Sequence, residues 1–199
     1  MRTARWLVGT ALLPASLSAQ ATKGPAATVL PEATQIAAAV LPLPAEFQGS
    51  AQVLGYRAGN PRLVVLRATS GPFICLASHP SSPRFHVACY HRSLEPFMAR
   101  GRELRTQGVQ DPQVDTVRFA EVKAGKLAMP TQPAALYSLT GGSFDPITGT
   151  ATGARPLFVV YTPGATAETT GLSTRPAEGT PWIMYAGTPK AHIMFVPRM

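Results

Sequence analysis

Cys75 and Cys89 constrain this chain more than any other pair of residues. They are its only cysteines, and each lies in an apolar, β-favouring run: Phe73 to Ala77 and Phe85 to Tyr90, around the turn Ser81-Ser82-Pro83. A hairpin centred on Ser82 sets Cys75 directly opposite Cys89. The same register pairs Phe73 with His91 and Ala77 with Val87 on one face, and Ile74 with Tyr90 and Leu76 with Ala88 on the other. A disulfide closing a loop of this length is expected to stabilise by about 3 kcal/mol on the chain-entropy model. The fold is therefore expected to contain an antiparallel hairpin stapled across its two strands.

A lasting disulfide requires an oxidising compartment, and the N-terminus carries the pattern that leads to one. Arg2 and Arg5 form a short basic region, Trp6 to Leu13 is apolar, Pro14 breaks the run, and small residues follow. Ala19-Gln20-Ala21 offers cleavage after Ala19 or Ala21. This is the layout of a secretory signal. Read as a core helix instead, the segment leaves both arginines and the cleavage motif without a purpose. Residues 1–21 are thus expected to be a signal peptide, residues 22–31 a flexible tail rich in Ala, Thr and Pro, and residues 32–199 a single domain. The apolar run is too short to span a bilayer, and no later segment approaches that length. No cysteine ends the leader to accept a lipid, and its arginines are not a twin pair. The expected location is the periplasm or the medium.

The net charge of +8 falls to +6 without the leader's two arginines. Basic excess alone does not imply nucleic acid. The arginines are scattered, and their only cluster, Arg92, Arg100, Arg102 and Arg105, is interrupted by Glu95 and Glu103. That reads as a solvated helix face, where phosphate binding needs a denser stripe. Nucleic acid is not an expected partner, and attraction to an anionic envelope surface would be weak and screened by salt.

Only 14% of residues are charged, while Gly and Pro number 17 and 20, which favours short strands and many turns. Strands are expected at Ala51 to Arg57, Arg62 to Arg67, the two cysteine runs, Thr116 to Val122, Leu127 to Met129, Ala135 to Thr140, Leu157 to Tyr161, Trp182 to Tyr185 and His192 to Val196. Glu32 to Leu41 predicts a short N-terminal helix ended by Pro42. Ser93 to Gln107 predicts one well-formed helix. Leu94, Phe97, Met98, Gly101 and Leu104 make its apolar stripe, Ser93 its N-cap, and Gly108 follows its end. Gly101 in that stripe costs about 1 kcal/mol against Ala, which suggests close approach to a strand beneath. Thr140 to Gly153 and Pro163 to Gly179 are long turn-rich loops, a place where function concentrates. The expected class is α+β, with a mainly antiparallel sheet and helix Ser93 to Gln107 packed on it.

Several constellations carry chemistry on paper. Cys75, His79, His86, Cys89 and His91 offer zinc-type ligands, although the spacing matches no closed knuckle and a disulfide removes both thiolates. In a C-terminal hairpin, Trp182, Met184, His192 and Met194 could line one surface. Methionine with histidine suits copper(I), and it equally suits a packed core. Gly141-Gly142-Ser143-Phe144-Asp145 resembles a nucleophile elbow without its closing glycine. Asp111, Asp115 and Asp145 could each orient a histidine, and nothing in the spacing selects one. No cofactor or metal is expected from these patterns.

Four phrases, CYHRSLEPFMARGREL (Cys89 to Leu104), GTPWIMYAGTPKAHIMF (Gly179 to Phe195), LPLPAEFQ (Leu41 to Gln48) and VVYTPGAT (Val159 to Thr166), carry a likeness. The chain resembles a set of exported bacterial proteins described only as hypothetical, which end in a similar PW-M-GTP-AHIM segment. The resemblance runs from about Ala33 to Pro197. It implies a single exported domain and assigns no site residue.

The functional expectation is a binding or accessory module of the cell envelope, holding a small ligand or an envelope protein through its long loops or a helix-sheet groove. The alternative is a periplasmic enzyme, hydrolase-like or metal-assisted, for which His192 and His91 are the first residues to test. Both readings are compatible with one fold.

Overall fold

A computed structural model describes residues 28–197. The expected signal peptide and the tail up to residue 27 lie outside the described residues. In chain order the helices are α1 (Glu32–Ala39), α2 (Ala45–Gln48), α3 (Glu95–Thr106), α4 (Gln113–Lys123) and α5 (Ala167–Thr170). The strands are β1 (Gln52–Arg57), β2 (Asn60–Arg67), β3 (Phe73–Leu76), β4 (His86–His91), β5 (Ala134–Thr140), β6 (Ser143–Asp145), β7 (Thr150–Thr152), β8 (Arg155–Tyr161), β9 (Trp182–Met184) and β10 (His192–Phe195).

Eight strands form one sheet in the order β2-β1-β3-β4-β5-β8-β10-β9, and β6 and β7 form a separate two-stranded hairpin. Every pairing is antiparallel except β1 with β3. That exception follows from the connection. The β1–β2 hairpin occupies one side of β1, so the chain crosses back over the start of β1 to reach its other side. Arg92 fastens this crossover: its guanidinium donates to the carbonyls of Gly71 and Thr69 and to the Gln52 side chain, each at 2.8 Å.

Cross-strand pairing divides the side chains between two faces. On one, Val53, Phe73, Cys75 and Cys89 pack with Ala39, Val40 and Leu43 from α1 and the turn after it. On the other, Leu54, Ile74, Tyr90, Val159 and Tyr161 pack with Leu94 and Met98 at the start of α3. The class is α+β with a mainly antiparallel sheet, as the sequence implies. The hairpin register is the expected one for Phe73 on His91, Ile74 on Tyr90, Cys75 on Cys89 and Leu76 on Ala88. The expected pair Ala77 with Val87 does not form: β3 ends at Leu76, and the Ala77 amide donates to the Leu54 carbonyl. The two sulfurs are bonded at 2.08 Å and fully buried.

The predicted helix Ser93 to Gln107 begins as a 3-10 turn over Arg92–Leu94 and continues as α3. His91 rather than Ser93 caps its start, accepting from the Ser93 amide. Gly108 ends it with a φ of 86°.

Three further expectations require correction. Thr116 to Val122, read as a strand, lies in helix α4, so α3 has a second long helix beside it. The inward residues of α4 are Val114 and Arg118, one turn apart, and the charged member hides the helical stripe from a hydrophobic count. Leu127 to Met129 forms no strand. Gly101 approaches no strand: a Cβ there would stand 2.8 Å from Arg118 Nη1, so α4 imposes the glycine. In addition, the arginines of the α3 cluster are each engaged rather than merely solvated. Arg100 binds Glu121 and Glu103, Arg102 binds Glu95, and Arg105 binds Asp111.

Candidate functional site

At the end of the sheet where β1 and β3 finish and β4 begins, four separate stretches of chain line a half-open cavity of about 220 Å³. Its walls come from Thr28 to Leu30, from Tyr56 at the end of β1, from the β3–β4 loop between Ala77 and Phe85, and from Phe144 on β6. Gln35 of α1 joins two of these walls. Its buried amide donates to the carbonyls of Leu30 and Tyr56 at 2.7 and 2.8 Å, and its oxygen accepts from the Tyr56 amide at 2.8 Å. Gly55 makes room for that amide, since a Cβ there would lie 2.6 Å from the Gln35 oxygen.

The aromatic walls are paired. Phe85 and Phe144 stack with centroids 5.5 Å apart and planes 12° from parallel, and Tyr56 meets His79 edge-on at 4.9 Å. Tyr56 and His79 also line two adjoining depressions, of about 280 and 180 Å³. Burial pushes the Tyr56 hydroxyl above its ordinary pKa, with the Arg102 charge opposing. The β3–β4 loop holds itself in shape: Ser82 Oγ donates to the Arg84 carbonyl at 2.7 Å, and the His86 amide donates to Ser78 Oγ at 3.1 Å.

A second assembly lies where α4 meets the C-terminal hairpin. The Asp115 carboxylate accepts from Arg118 and, at 2.7 Å, from Lys190 Nζ. Arg118 is buried, lies 3.8 Å over the Phe97 ring, and donates to the Phe97 carbonyl at 3.1 Å. Lys190 sits 4.3 Å over Tyr185, which has a positive φ of 53°. His192, also buried, has its ring between those of Tyr161 and Tyr185, at 5.0 and 5.6 Å. Its Nδ1 donates to the Lys190 carbonyl at 2.7 Å, which leaves Nε2 as the acceptor of a neutral ring. Burial lowers the His192 pKa and pushes that of Tyr161 up to about 12. Burial would raise Asp115 too, but the hydrogen bonds from Lys190 and Arg118 outweigh it and hold the carboxyl below its usual range. One carboxylate thus serves two cations, while the buried Arg118 Nε has no partner among the described residues.

The two histidines singled out from the sequence do not meet. His91 pairs with Phe73, and its row continues through Ala135 and Val160 to Ile193, whereas His192 stands in the adjacent row with Tyr161 and Ala134. They therefore occupy opposite faces and are three strands, about 14 Å, apart. His91 Nδ1 lies 2.8 Å from Ser93 Oγ. Among the described residues no imidazole is hydrogen-bonded to a carboxylate; Asp111 binds Arg105, and Asp145 accepts from Ile147 and Thr148 in its own turn.

Cys75 and Cys89 are joined, so neither offers a thiolate to zinc, and no group of three or more His, Cys, Asp or Glu converges among the described residues. Trp182, Met184, His192 and Met194 do share a face, through the pairs Met184 with His192 and Trp182 with Met194. There Trp182 and His192 are buried, and Met194 packs against the core. The Gly141 to Asp145 segment leads into the β6–β7 hairpin and not into a helix.

Sequence reasoning missed the cavity. It weighed His79 only as a zinc ligand, and it passed over Tyr56, Arg84 and Phe85. The one pointer was the long loop Thr140 to Gly153, which contributes Phe144. No helix among the described residues is long and apolar enough to cross a membrane. Compared with known proteins, the chain matches no protein-family model, no curated protein and no solved structure.

Proposed function

We propose that this chain is an exported binding module of the cell envelope that holds a small ligand in the cleft around Tyr56 and His79. One observation carries the reading: four stretches distant in sequence converge on a single cavity walled by two aromatic pairs. Concave, mostly apolar sites with a few polar groups are where small molecules bind. At about 220 Å³ the cavity is below the ~300 Å³ at which sites for drug-sized molecules begin, so the ligand is small. Export is supported by the leader pattern of residues 1–21 and by the buried disulfide.

A fragment screen read by amide NMR tests the binding. Binders are expected to shift resonances of Tyr56, Ala77 to Phe85 and Phe144 together; binders that perturb only other parts of the sheet would refute the site. N-terminal sequencing of protein from the envelope fraction tests export, with a start at Gln20 or Thr22 expected and an intact Met1 contradicting it.

A further inference from the structure

The hydrogen-bonding groups around the cavity are unequal in kind, and that inequality specifies its ligand. Gln35 is fully engaged, with both ends of its amide bound to Leu30 and Tyr56. Ser82 Oγ is likewise engaged, both donating to and accepting from the Arg84 backbone. His79 accepts the Ser81 amide at Nδ1, at 3.1 Å, so the neutral ring must carry its proton on Nε2, as a donor. Ser78 Oγ accepts the His86 amide, which leaves its own O–H to donate. Arg84 brings a guanidinium that forms no ion pair among the described residues. Among the described residues no Asp or Glu lines the cavity.

The free side-chain donors of the lining residues therefore include His79 Nε2, the Ser78 and Tyr56 hydroxyls and the Arg84 guanidinium, a permanent cation, beside a stacked phenylalanine pair and no carboxylate among the described residues. We infer that the ligand is a small aromatic anion, an aryl carboxylate in its simplest form. The planar guanidinium suits a carboxylate through two parallel hydrogen bonds. The Phe85 and Phe144 rings offer an apolar surface for the ring of the ligand. A cationic ligand would meet Arg84 with no compensating acid. The inference rests on the binding reading above and adds the charge and shape of what is bound.

The experiment titrates the full mature chain with benzoate, benzamide and benzylamine, following amide NMR shifts at Tyr56, at the non-proline residues from Ala77 to Phe85 and at Phe144. Arg84→Gln and Phe144→Ala are titrated beside the wild type. Arg84 is exposed and in a loop, so thermal melting of Arg84→Gln is expected to match the wild type and serves as the folding control.

Benzoate is expected to bind at least about tenfold tighter than benzamide, ~1.4 kcal/mol, with benzylamine weakest. Arg84→Gln should abolish the preference for the anion, and Phe144→Ala should weaken both benzoate and benzamide. If benzamide equals benzoate at the cavity, or the preference survives in Arg84→Gln, the anion inference is overturned while the binding site stands. If no probe perturbs the cavity residues, the inference fails. The binding reading then falls only if the fragment screen also leaves those residues unmoved.

Discussion

Lys190 Nζ lies 2.7 Å from the Asp115 carboxylate, across 75 residues of sequence. The contact ties helix α4 to the loop that joins β9 to β10, and the same carboxylate pairs with Nη2 of the buried Arg118.

Replacing Asp115 with Asn leaves Arg118 buried without its counter-charge, and removing one partner of a buried ion pair is strongly destabilising. With Asp115 about one-fifth exposed, a loss of about 2–4 kcal/mol in urea unfolding is expected. Because the Asp115 pKa is depressed in the fold, its contribution is present above about pH 4 and fades as pH falls through the folded value. Wild-type melting should drop more steeply than that of Asp115→Asn on acidification below that point. Parallel acid profiles would remove Asp115 from the explanation.

Gly101→Ala inverts the usual rule for a helix interior. Alanine is ordinarily better there by about 1 kcal/mol. Here its methyl would meet Arg118 Nη1 at 2.8 Å and Cζ at 3.3 Å, and the Phe97 carbonyl and Asp115 hold that guanidinium in place. A net loss of about 1–2 kcal/mol is expected, as for overpacking. A gain in melting temperature would show that α4 gives way freely.

His192 and His91 should separate in a paired substitution. His192→Ala removes a buried ring packed against two tyrosines and should cost about 2 kcal/mol or more; His91→Ala, at a half-buried cap, should cost less than about 1 kcal/mol. The His192 pKa is lowered by burial, so stability is full above about pH 6.5 and declines as pH falls toward the folded value. His192→Phe should reduce the slope of that part of the melting profile, the remainder belonging to His86, whose pKa burial also lowers. An unchanged slope would place the titration elsewhere.

Replacing both cysteines with serine should cost about 3 kcal/mol. Labelling of the native protein with a thiol reagent should find no free sulfhydryl. Two reactive thiols would contradict the bonded pair.

Most strands of the main sheet were legible because their signals are local, whereas β6 and β7 lie inside a stretch that reads as a turn-rich loop. The runs around Cys75 and Cys89 alternate about one turn, and that turn fixes their register one residue at a time. Helix α4 was not legible, because its β-branched residues mimic a strand and its buried stripe includes Arg118, which a reading of hydrophobic spacing excludes. Arg118 becomes an interior residue only once Asp115, Phe97 and Lys190 surround it, and Lys190 arrives from the far end of the chain. The cavity was hidden for the same reason. Tyr56, His79, Arg84 and Phe144 make no pattern in sequence, and only the crossover beside β1 and the β6–β7 hairpin bring them together.

Both sulfur atoms lie sealed beneath Ala39 and Val40 at the close of α1. A dissolved reductant therefore attacks only during the brief intervals when that helix parts from the sheet. At high reductant concentration the speed of cleavage should stop rising and settle at the frequency of those partings. The staple then works as a clock for the breathing of the N-terminal layer.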